Sequence, residues 1–335
     1  MNPADLQIDA RLEQALNQAA HFLQEAGADA PRLTAEVLLA QACGLEREEL
    51  LKKLILCPST LLDKAWLPRL QDFLVRRARG EPTAYITGRK EFYGRDFSVA
   101  PATLIPRPES ELLIDLALKE AAHLDGNRPE ARIFADFGTG SGCLAATLSL
   151  ELGGNWRGLA LDKSAAALRL AAANCRALGC APDRLLFIRG NFYFAPIAGH
   201  SLDLLLCNPP YISAEEYFGL AREIRDFEPK SALVPEGSAP RRESCPNQPA
   251  AGTEDALCLI RLAQTLLRPG GILLLEMGSG QGKALLRAAS QNTWSGLCVH
   301  KDAAGLDRVL FGKTHCAEKT QSQGQIPLNK ICNIS

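Results

Sequence analysis

The sequence predicts an α/β protein, a doubly wound and mostly parallel sheet preceded by a smaller helical region. Three observations carry this. Between residues 109 and 312, short apolar runs alternate with stretches of helical period, the pattern of strand–helix–strand units. The first of those runs ends in a glycine-rich turn, Phe137-Gly138-Thr139-Gly140-Ser141-Gly142, which opens onto a helix. Residues 1 to 80, in contrast, place their apolar side chains at helical spacing.

In the helical region Leu12, Leu16 and Ala19 mark one helix, and Ala35, Leu38, Leu39 and Ala42 a second that Gly44 can stop. A third helix is predicted over about 64–79. Arg76, Arg77 and Arg79 near its C-terminal end suit the helix dipole and read as a solvated helix end. Residues 81–108 are rich in Pro, Gly and aromatics. Tyr85, Phe92, Tyr93 and Phe97, with Gly88 and Gly94 as turn residues, predict a β-hairpin linking the two regions. From 109 to 312 strands are expected near 132–136, 157–162, 185–189, 202–207 and 271–276.

The glycine turn follows the strand Arg132 to Asp136 and precedes an amphipathic helix from Cys143 to about Leu152. Gly138, Gly140 and Gly142 permit a tight strand-to-helix turn and close backbone approach to a ligand, while the helix start supplies free N–H groups. The next strand ends in Asp162, where a carboxylate can take both hydroxyls of a ribose. A helix N-cap is the alternative role for Asp162, because Lys163-Ser164-Ala165 opens a helix. The G-x-G-x-G spacing behind Asp136 favours S-adenosylmethionine over a dinucleotide, whose pyrophosphate usually meets the longer G-x-G-x-x-G pattern.

The fourth strand, Leu202 to Cys207, runs into Asn208-Pro209-Pro210-Tyr211. Two prolines stop the strand and stiffen the backbone. An amide side chain, rigid carbonyls and an aromatic ring remain at the carboxyl end of a buried strand, where open α/β sheets place ligands. Such a corner suits a flat NH2 group. The Asn208 side-chain oxygen and the Pro209 carbonyl can accept its two N–H bonds, and Tyr211 can lie against its π-face.

These motifs resemble those of the PrmC/HemK family, the glutamine methyltransferases that modify peptide-chain release factors. The resemblance also rests on Gly80-Glu81-Pro82-Thr83-Ala84-Tyr85-Ile86-Thr87-Gly88, Glu91-Phe92-Tyr93-Gly94, Leu104-Ile105-Pro106-Arg107-Pro108-Glu109, and Leu267-Arg268-Pro269-Gly270-Gly271 through Glu276, and runs from about residue 10 to 312. It implies a Rossmann-like S-adenosylmethionine-dependent methyltransferase fold with a seven-stranded sheet, whose last strand near 306–312 is an antiparallel edge. It implies an N-terminal substrate-recognition domain (1–80), a hairpin linker (81–108) and a catalytic domain (109–312). The implied reaction transfers a methyl group from S-adenosyl-L-methionine to the side-chain nitrogen of the glutamine in a release factor's Gly-Gly-Gln segment. Asn208, Pro209, Pro210 and Tyr211 would hold that amide. Asp136, Gly138, Thr139, Gly140, Ser141, Gly142, Asp162, Asn191, Phe192 and Asn208 would hold the cofactor, with Arg107 and Glu109 near the mouth. For Arg107 and Glu109 a hairpin-to-helix cap is the competing role. Release factors are the implied partner, with the ribosome as a setting left open.

Composition agrees. The 335 residues suffice for a catalytic domain and a smaller one, and 47% hydrophobic content with net charge −1 describes an ordinary globular protein. So balanced a charge argues against holding long nucleic acid by bulk electrostatics. No apolar stretch reaches a membrane span, and Met1-Asn2-Pro3-Ala4-Asp5 lacks the start of a signal peptide. The eleven cysteines include no C-x-x-C pair, and Cys143, Cys207 and Cys258 lie in apolar segments. A cytoplasmic protein with reduced thiols and no metal is expected. Nothing demands more than a monomer.

Three stretches depart from the family pattern. Glu236 to Thr253 reads as a long, flexible surface loop carrying Arg241-Arg242, and Lys313 to Ser335 as a disordered polar tail. Asn191 stands where the family usually has an acid that meets the adenine amino group; its side-chain oxygen can still accept an N–H, and Phe192 can pack on the ring. Amino-group methylation of a nucleic-acid base is the alternative chemistry, since a flipped base offers the same flat NH2. A cofactor-binding scaffold without turnover is a third reading, resting on Asn191 alone.

Overall fold

The computed structural model describes residues 8–63, 65–124, 130–236, 251–289 and 294–316. Helices α1 (Leu12–Glu25), α2 (Pro31–Cys43), α3 (Arg47–Leu56) and α4 (Leu67–Ala78) build the N-terminal region. They close over one core that includes Leu16, Leu23, Leu38, Leu39, Leu50 and Leu74. Gly44 ends α2 at φ +69°, a left-handed conformation that glycine adopts without a Cβ penalty. Helix α3 was not expected from sequence. It opens with a reciprocal Glu46–Glu49 capping box but buries only Leu50, so its apolar period is too faint to read.

Of the arginines closing α4, Arg79 is exposed as expected, but Arg76 and Arg77 are not a solvated end. Arg77 is 8% exposed and lies 2.8 Å from Glu223, in the short helix α10 (Arg222–Arg225) that follows α9 (Ala214–Tyr217) in the C-terminal region. Arg76 makes a two-pronged bond to Glu81.

The linker divides differently from expectation. Residues Thr83–Thr87 form a short helix, α5, that Gly88 stops at φ +74°. Tyr85 is therefore helical rather than part of a hairpin, and its hydroxyl donates to the Thr103 carbonyl at 2.7 Å. The hairpin is confined to β1 (Arg89–Phe92) and β2 (Arg95–Ser98). Its two-residue turn has Tyr93 at φ +52° and Gly94 at φ +71°, the backbone signs of a type I′ turn, whose twist suits paired strands. Phe92 and Phe97 pack edge to face, 6.2 Å between ring centres, and anchor the hairpin in the core of the α/β region.

The main sheet contains β3 (Arg132–Phe137), β4 (Trp156–Asp162), β5 (Leu185–Arg189), β6 (Leu202–Cys207), β7 (Leu267–Glu276), β8 (Trp294–Lys301) and β9 (Asp307–Thr314). Their order is β5-β4-β3-β6-β7-β9-β8, parallel from β5 to β7 and antiparallel beyond. The last strand is thus antiparallel as expected but is not the edge, because β8 pairs outside it. Strand β8 buries only Trp294 and carries Cys298, His300 and Lys301 among its outer residues, so it lacks the apolar run that marks the inner strands. Lys313 and Thr314, placed in the tail from sequence, belong to β9. Most of the expected flexible loop, with Arg241-Arg242, and most of the tail lie outside the described residues.

Helices α6 (Glu111–Leu124) and α7 (Cys143–Glu151), with the hairpin, cover one face of the sheet. Helices α11 (Glu254–Leu266) and α12 (Gly282–Ala288) cover the other. Successive strands build outward one way from β3 through β4 to β5, and the other way from β6 to β7. The reversal between β3 and β6 opens a crevice at their carboxyl ends, the usual ligand site of such sheets.

Candidate active site

A cavity opens at that crevice. The ends of β3, β4, β5 and β6 supply Thr139, Asp162, Asn191 and Asn208 to its wall, the linker supplies Thr103 and Arg107, and the short turn before α6 supplies Ser110. The glycine turn forms its floor. Gly138, Gly140 and Gly142 have φ of +74°, +54° and +81°, so the loop alternates through left-handed backbone that other residues would strain. Gly142 has a second reason to lack a side chain, since a Cβ there would come within 2.9 Å of the Ala171 Cβ on helix α8 (Ala165–Ala177). The amides of Gly138 and Thr139 are spent on the Leu161 carbonyl, at 2.8 and 3.0 Å.

Asp162 holds this loop to β4. One carboxylate oxygen accepts the Gly140 N–H at 3.0 Å and the other the Ser164 N–H at 2.8 Å. The helix cap itself is Ser164, whose hydroxyl accepts from the Ala167 N–H, so Asp162 is not the N-cap of α8. Each Asp162 oxygen retains a lone pair, as two ribose hydroxyls would need.

Asp136 is placed differently from the other loop residues. It is fully buried beneath the turn rather than on the cavity wall, and accepts the Thr139 hydroxyl at 2.6 Å. Burial pushes its carboxyl up to about 7. It props Thr139, while Thr139, Gly138, Gly140 and Ser141 reach the cavity and Gly142 stays behind them.

At the end of β5, Asn191 and Phe192 both line the cavity. The Asn191 oxygen accepts the Tyr193 N–H at 3.0 Å and its amide nitrogen donates to Glu236 at 3.4 Å. Glu236 also pairs with Lys163, which lowers its pKa. Tyr193 donates its hydroxyl to Asp255, a buried carboxylate whose pKa burial raises. Sequence reasoning missed Lys163, Tyr193, Glu236 and Asp255 as wall residues; they are ordinary polar residues in sequence, and only the fold brings them together.

On the opposite side stands Asn208. Its amide nitrogen donates to the Ser110 hydroxyl at 3.1 Å, and that hydroxyl donates to Glu276 at 2.6 Å. Pro209 and Pro210 also line the cavity, whereas Tyr211 does not. Burial and the Glu276 charge push the Tyr211 phenol up to about 12, and its carbonyl accepts from Gln281 at 2.9 Å. Arg107 lines the cavity and is tied to the buried Glu228, which also accepts the Ile105 N–H at 3.1 Å. Glu109 is exposed and lies outside the wall. Ser110 and Glu276 were not singled out as site residues. The readable signal was Glu276 itself, a carboxylate closing the apolar run Ile272 to Leu275 at the carboxyl end of a strand.

Among the described residues no helix is long and apolar enough to cross a membrane. Comparison with known proteins matches residues 14–88 to the model of the PrmC N-terminal domain and residues 114–238 to that of the methyltransferase small domain. The chain is 45% identical to the release factor glutamine methyltransferase of Nitratidesulfovibrio vulgaris, over 93% of this chain and 98% of the relative. It is 40% identical to the enzyme of that name from Moorella thermoacetica, over 90% and 97%. The corresponding Vibrio cholerae enzyme is 36% identical over 90% and 96%. Likeness of this extent across both regions and nearly the whole of each relative establishes that the chain belongs to the release factor glutamine methyltransferase family.

Proposed function

We propose that this protein transfers a methyl group from S-adenosyl-L-methionine to the side-chain amide nitrogen of the Gly-Gly-Gln glutamine in a peptide-chain release factor. The observation that carries the reading is the Asn208 amide, whose nitrogen is committed to Ser110 and whose oxygen is left as an acceptor at the crevice, beside Pro209 and across from the glycine turn.

The residues fit the cofactor. Asp162 keeps two lone pairs for ribose hydroxyls, the glycine turn leaves room for close backbone approach, and Asn191 and Phe192 stand at the neighbouring strand end for the adenine. S-adenosylmethionine supplies a sulfonium methyl that is already electrophilic, so this reading needs no metal. What the chain must add is placement and exclusion of water. A glutamine amide nitrogen is a poor nucleophile because its lone pair is delocalised. Asn208 accepting one N–H and the Pro209 carbonyl the other aims the lone-pair face along one direction. Both bonds strengthen as positive charge grows on nitrogen, which stabilises the transition state more than the ground state. Pro210 keeps the turn stiff, and Tyr211 contributes through the carbonyl that Gln281 anchors. In this reading the release factor meets a monomeric enzyme in the cytoplasm through its N-terminal helices.

The test is mass spectrometry of a purified release factor incubated with the full chain and S-adenosylmethionine. One added methyl on the Gly-Gly-Gln glutamine is expected. Asn208→Ala should lower turnover by orders of magnitude while cofactor affinity stays within several-fold. Label entering tRNA, rRNA or DNA instead would overturn the substrate, and full turnover by Asn208→Ala would overturn the amide clamp.

A further inference from the structure

We propose that Ser110 and Glu276 are positioning residues that decide which end of the Asn208 amide faces the substrate. The inference rests on the reading above, in which Asn208 accepts an N–H from the substrate amide, and adds to it the groups that make Asn208 an acceptor.

The argument is a count of protons. A serine hydroxyl has one hydrogen to donate and two lone pairs. Ser110 Oγ gives that hydrogen to Glu276 Oε2, 2.6 Å away. Toward Asn208 it can then only accept, and at 3.1 Å it requires an N–H there. The Asn208 side chain must point its NH2 at Ser110, which leaves Oδ1 as the free end. Turned over, Asn208 would set its oxygen against the Ser110 oxygen with no hydrogen between them. It would also offer an NH2 to a substrate NH2, donor against donor. Ionised, Glu276 is thus the acceptor that sets the direction of the whole chain. Burial raises its carboxyl to about 7, and the hydrogen bonds from Ser110 and Tyr211 and the Arg308 charge oppose that rise and favour the carboxylate.

Water has little opportunity to take over either role, because Ser110 is 3% exposed and Glu276 1%. The fold holds the three groups from separate elements. Strands β6 and β7 run in parallel with Cys207 opposite Leu275, so Asn208 and Glu276 leave adjacent strand ends side by side. Ser110 closes the gap from the short turn before α6, in the segment that also carries Arg107. Three other charged or titratable groups act on Glu276: Arg308 from β9, Tyr211 and Glu109. None of them donates to Ser110 among the described residues, which leaves Glu276 as its partner.

The reason to build such a chain is selectivity of placement. An asparagine amide can rotate by half a turn and present either end with almost the same shape. Fixing it in advance means that binding energy is not spent on orienting it when substrate arrives. An acceptor end also suits a glutamine amide and repels a glutamate carboxylate at the same position.

The test compares the full-length wild type with Ser110→Ala, Ser110→Thr and Glu276→Gln on the same release factor, measuring kcat, KM for the release factor, cofactor Kd and Tm. Ser110→Ala should lower kcat by 10- to 100-fold with cofactor Kd within about threefold of wild type, as expected for a misoriented group at the reacting centre. Ser110→Thr keeps the hydroxyl and should restore most of the rate. Glu276→Gln can reverse the chain, since its NH2 can donate to Ser110, and should lose at least tenfold in kcat. A Ser110→Ala enzyme within twofold of wild-type kcat overturns the proposal, as does Ser110→Thr no better than Ser110→Ala, or a loss explained wholly by weaker cofactor binding. Wild-type enzyme that leaves the glutamine unmethylated overturns the functional reading itself, and the proposal with it.

Discussion

Arg77 and Glu223 are 146 residues apart in sequence and 2.8 Å apart in space, joining the last turn of α4 to α10 beyond the Asn-Pro-Pro-Tyr turn. The pair is lopsided. The Arg77 side chain is 8% exposed and that of Glu223 34%. The helical region is thereby tied to the segment that continues directly from the candidate active site, and the two ends of the tie should respond unequally to mutation.

Removing the carboxylate leaves a buried guanidinium with only a long bond to the Glu81 carbonyl, at 3.4 Å, whereas removing the guanidinium lets a carboxylate already near water rehydrate. Glu223→Ala should therefore cost about 3 kcal/mol of folding stability. Arg77→Met, which keeps the apolar stem, should cost about 1 kcal/mol. Chemical denaturation of the two variants, with equal m-values, checks the order. Equal losses, or a larger one for Arg77→Met, would mean that the pair is not what holds the regions together here.

Asp162 has two tasks that one substitution should remove together. Each of its oxygens accepts a backbone N–H, from Gly140 and from Ser164, and each has a lone pair left for a ligand. Asparagine offers only one oxygen, so an NH2 would face one of those N–H groups. Asp162→Asn should then bind S-adenosylmethionine nearly as poorly as Asp162→Ala. Both should lose about 1–3 kcal/mol, roughly 5- to 150-fold in Kd, by titration calorimetry. With saturating cofactor, kcat should fall much less than for Asn208→Ala. An Asp162→Asn enzyme with wild-type affinity would remove Asp162 from the cofactor site.

These assignments differ in how readable they were. The inner strands and the Asn208 turn could be read because their chemistry is local: apolar runs, prolines and glycines fix backbone without reference to distant residues. Asp162 was legible for the same reason, as a carboxylate closing a strand. Its hold on Gly140 was not, since that bond crosses from one strand end to the next. Ser110 looked like any polar residue before a helix. Its meaning comes from Asn208 and Glu276, 98 and 166 residues away, and no short window contains that. Strand β8 and helix α3 escaped because each buries a single side chain, Trp294 and Leu50, so neither prints a period on the sequence. Tyr85 looked like a strand residue because aromatics favour strands; Gly88 ends a helix there instead.

Gly252 offers the sharpest remaining test of how the Asn208 turn is held. Its φ is +79°, and a Cβ on it would sit 2.3 Å from the Tyr211 carbonyl oxygen and 3.1 Å from the Gln281 amide nitrogen. That same carbonyl accepts the Gln281 N–H at 2.9 Å, and Gln281 is fixed at its other end by the Gly278 N–H at 3.0 Å. The exit of the Asn-Pro-Pro-Tyr turn is thus clamped between a glutamine and a residue that must have no side chain. Gly252→Ala forces the carbonyl to move and strains a left-handed residue, which should cost about 1–3 kcal/mol of stability. If the position of Pro209 and Pro210 depends on the clamp, kcat should fall at least tenfold while cofactor Kd stays within about threefold, because the glycine turn and Asp162 lie on other strand ends. Gln281→Ala removes the hydrogen bond without the clash and should show the same selectivity in weaker form. A Gly252→Ala protein that is destabilised yet turns over at the wild-type rate would show that the two prolines hold the turn unaided.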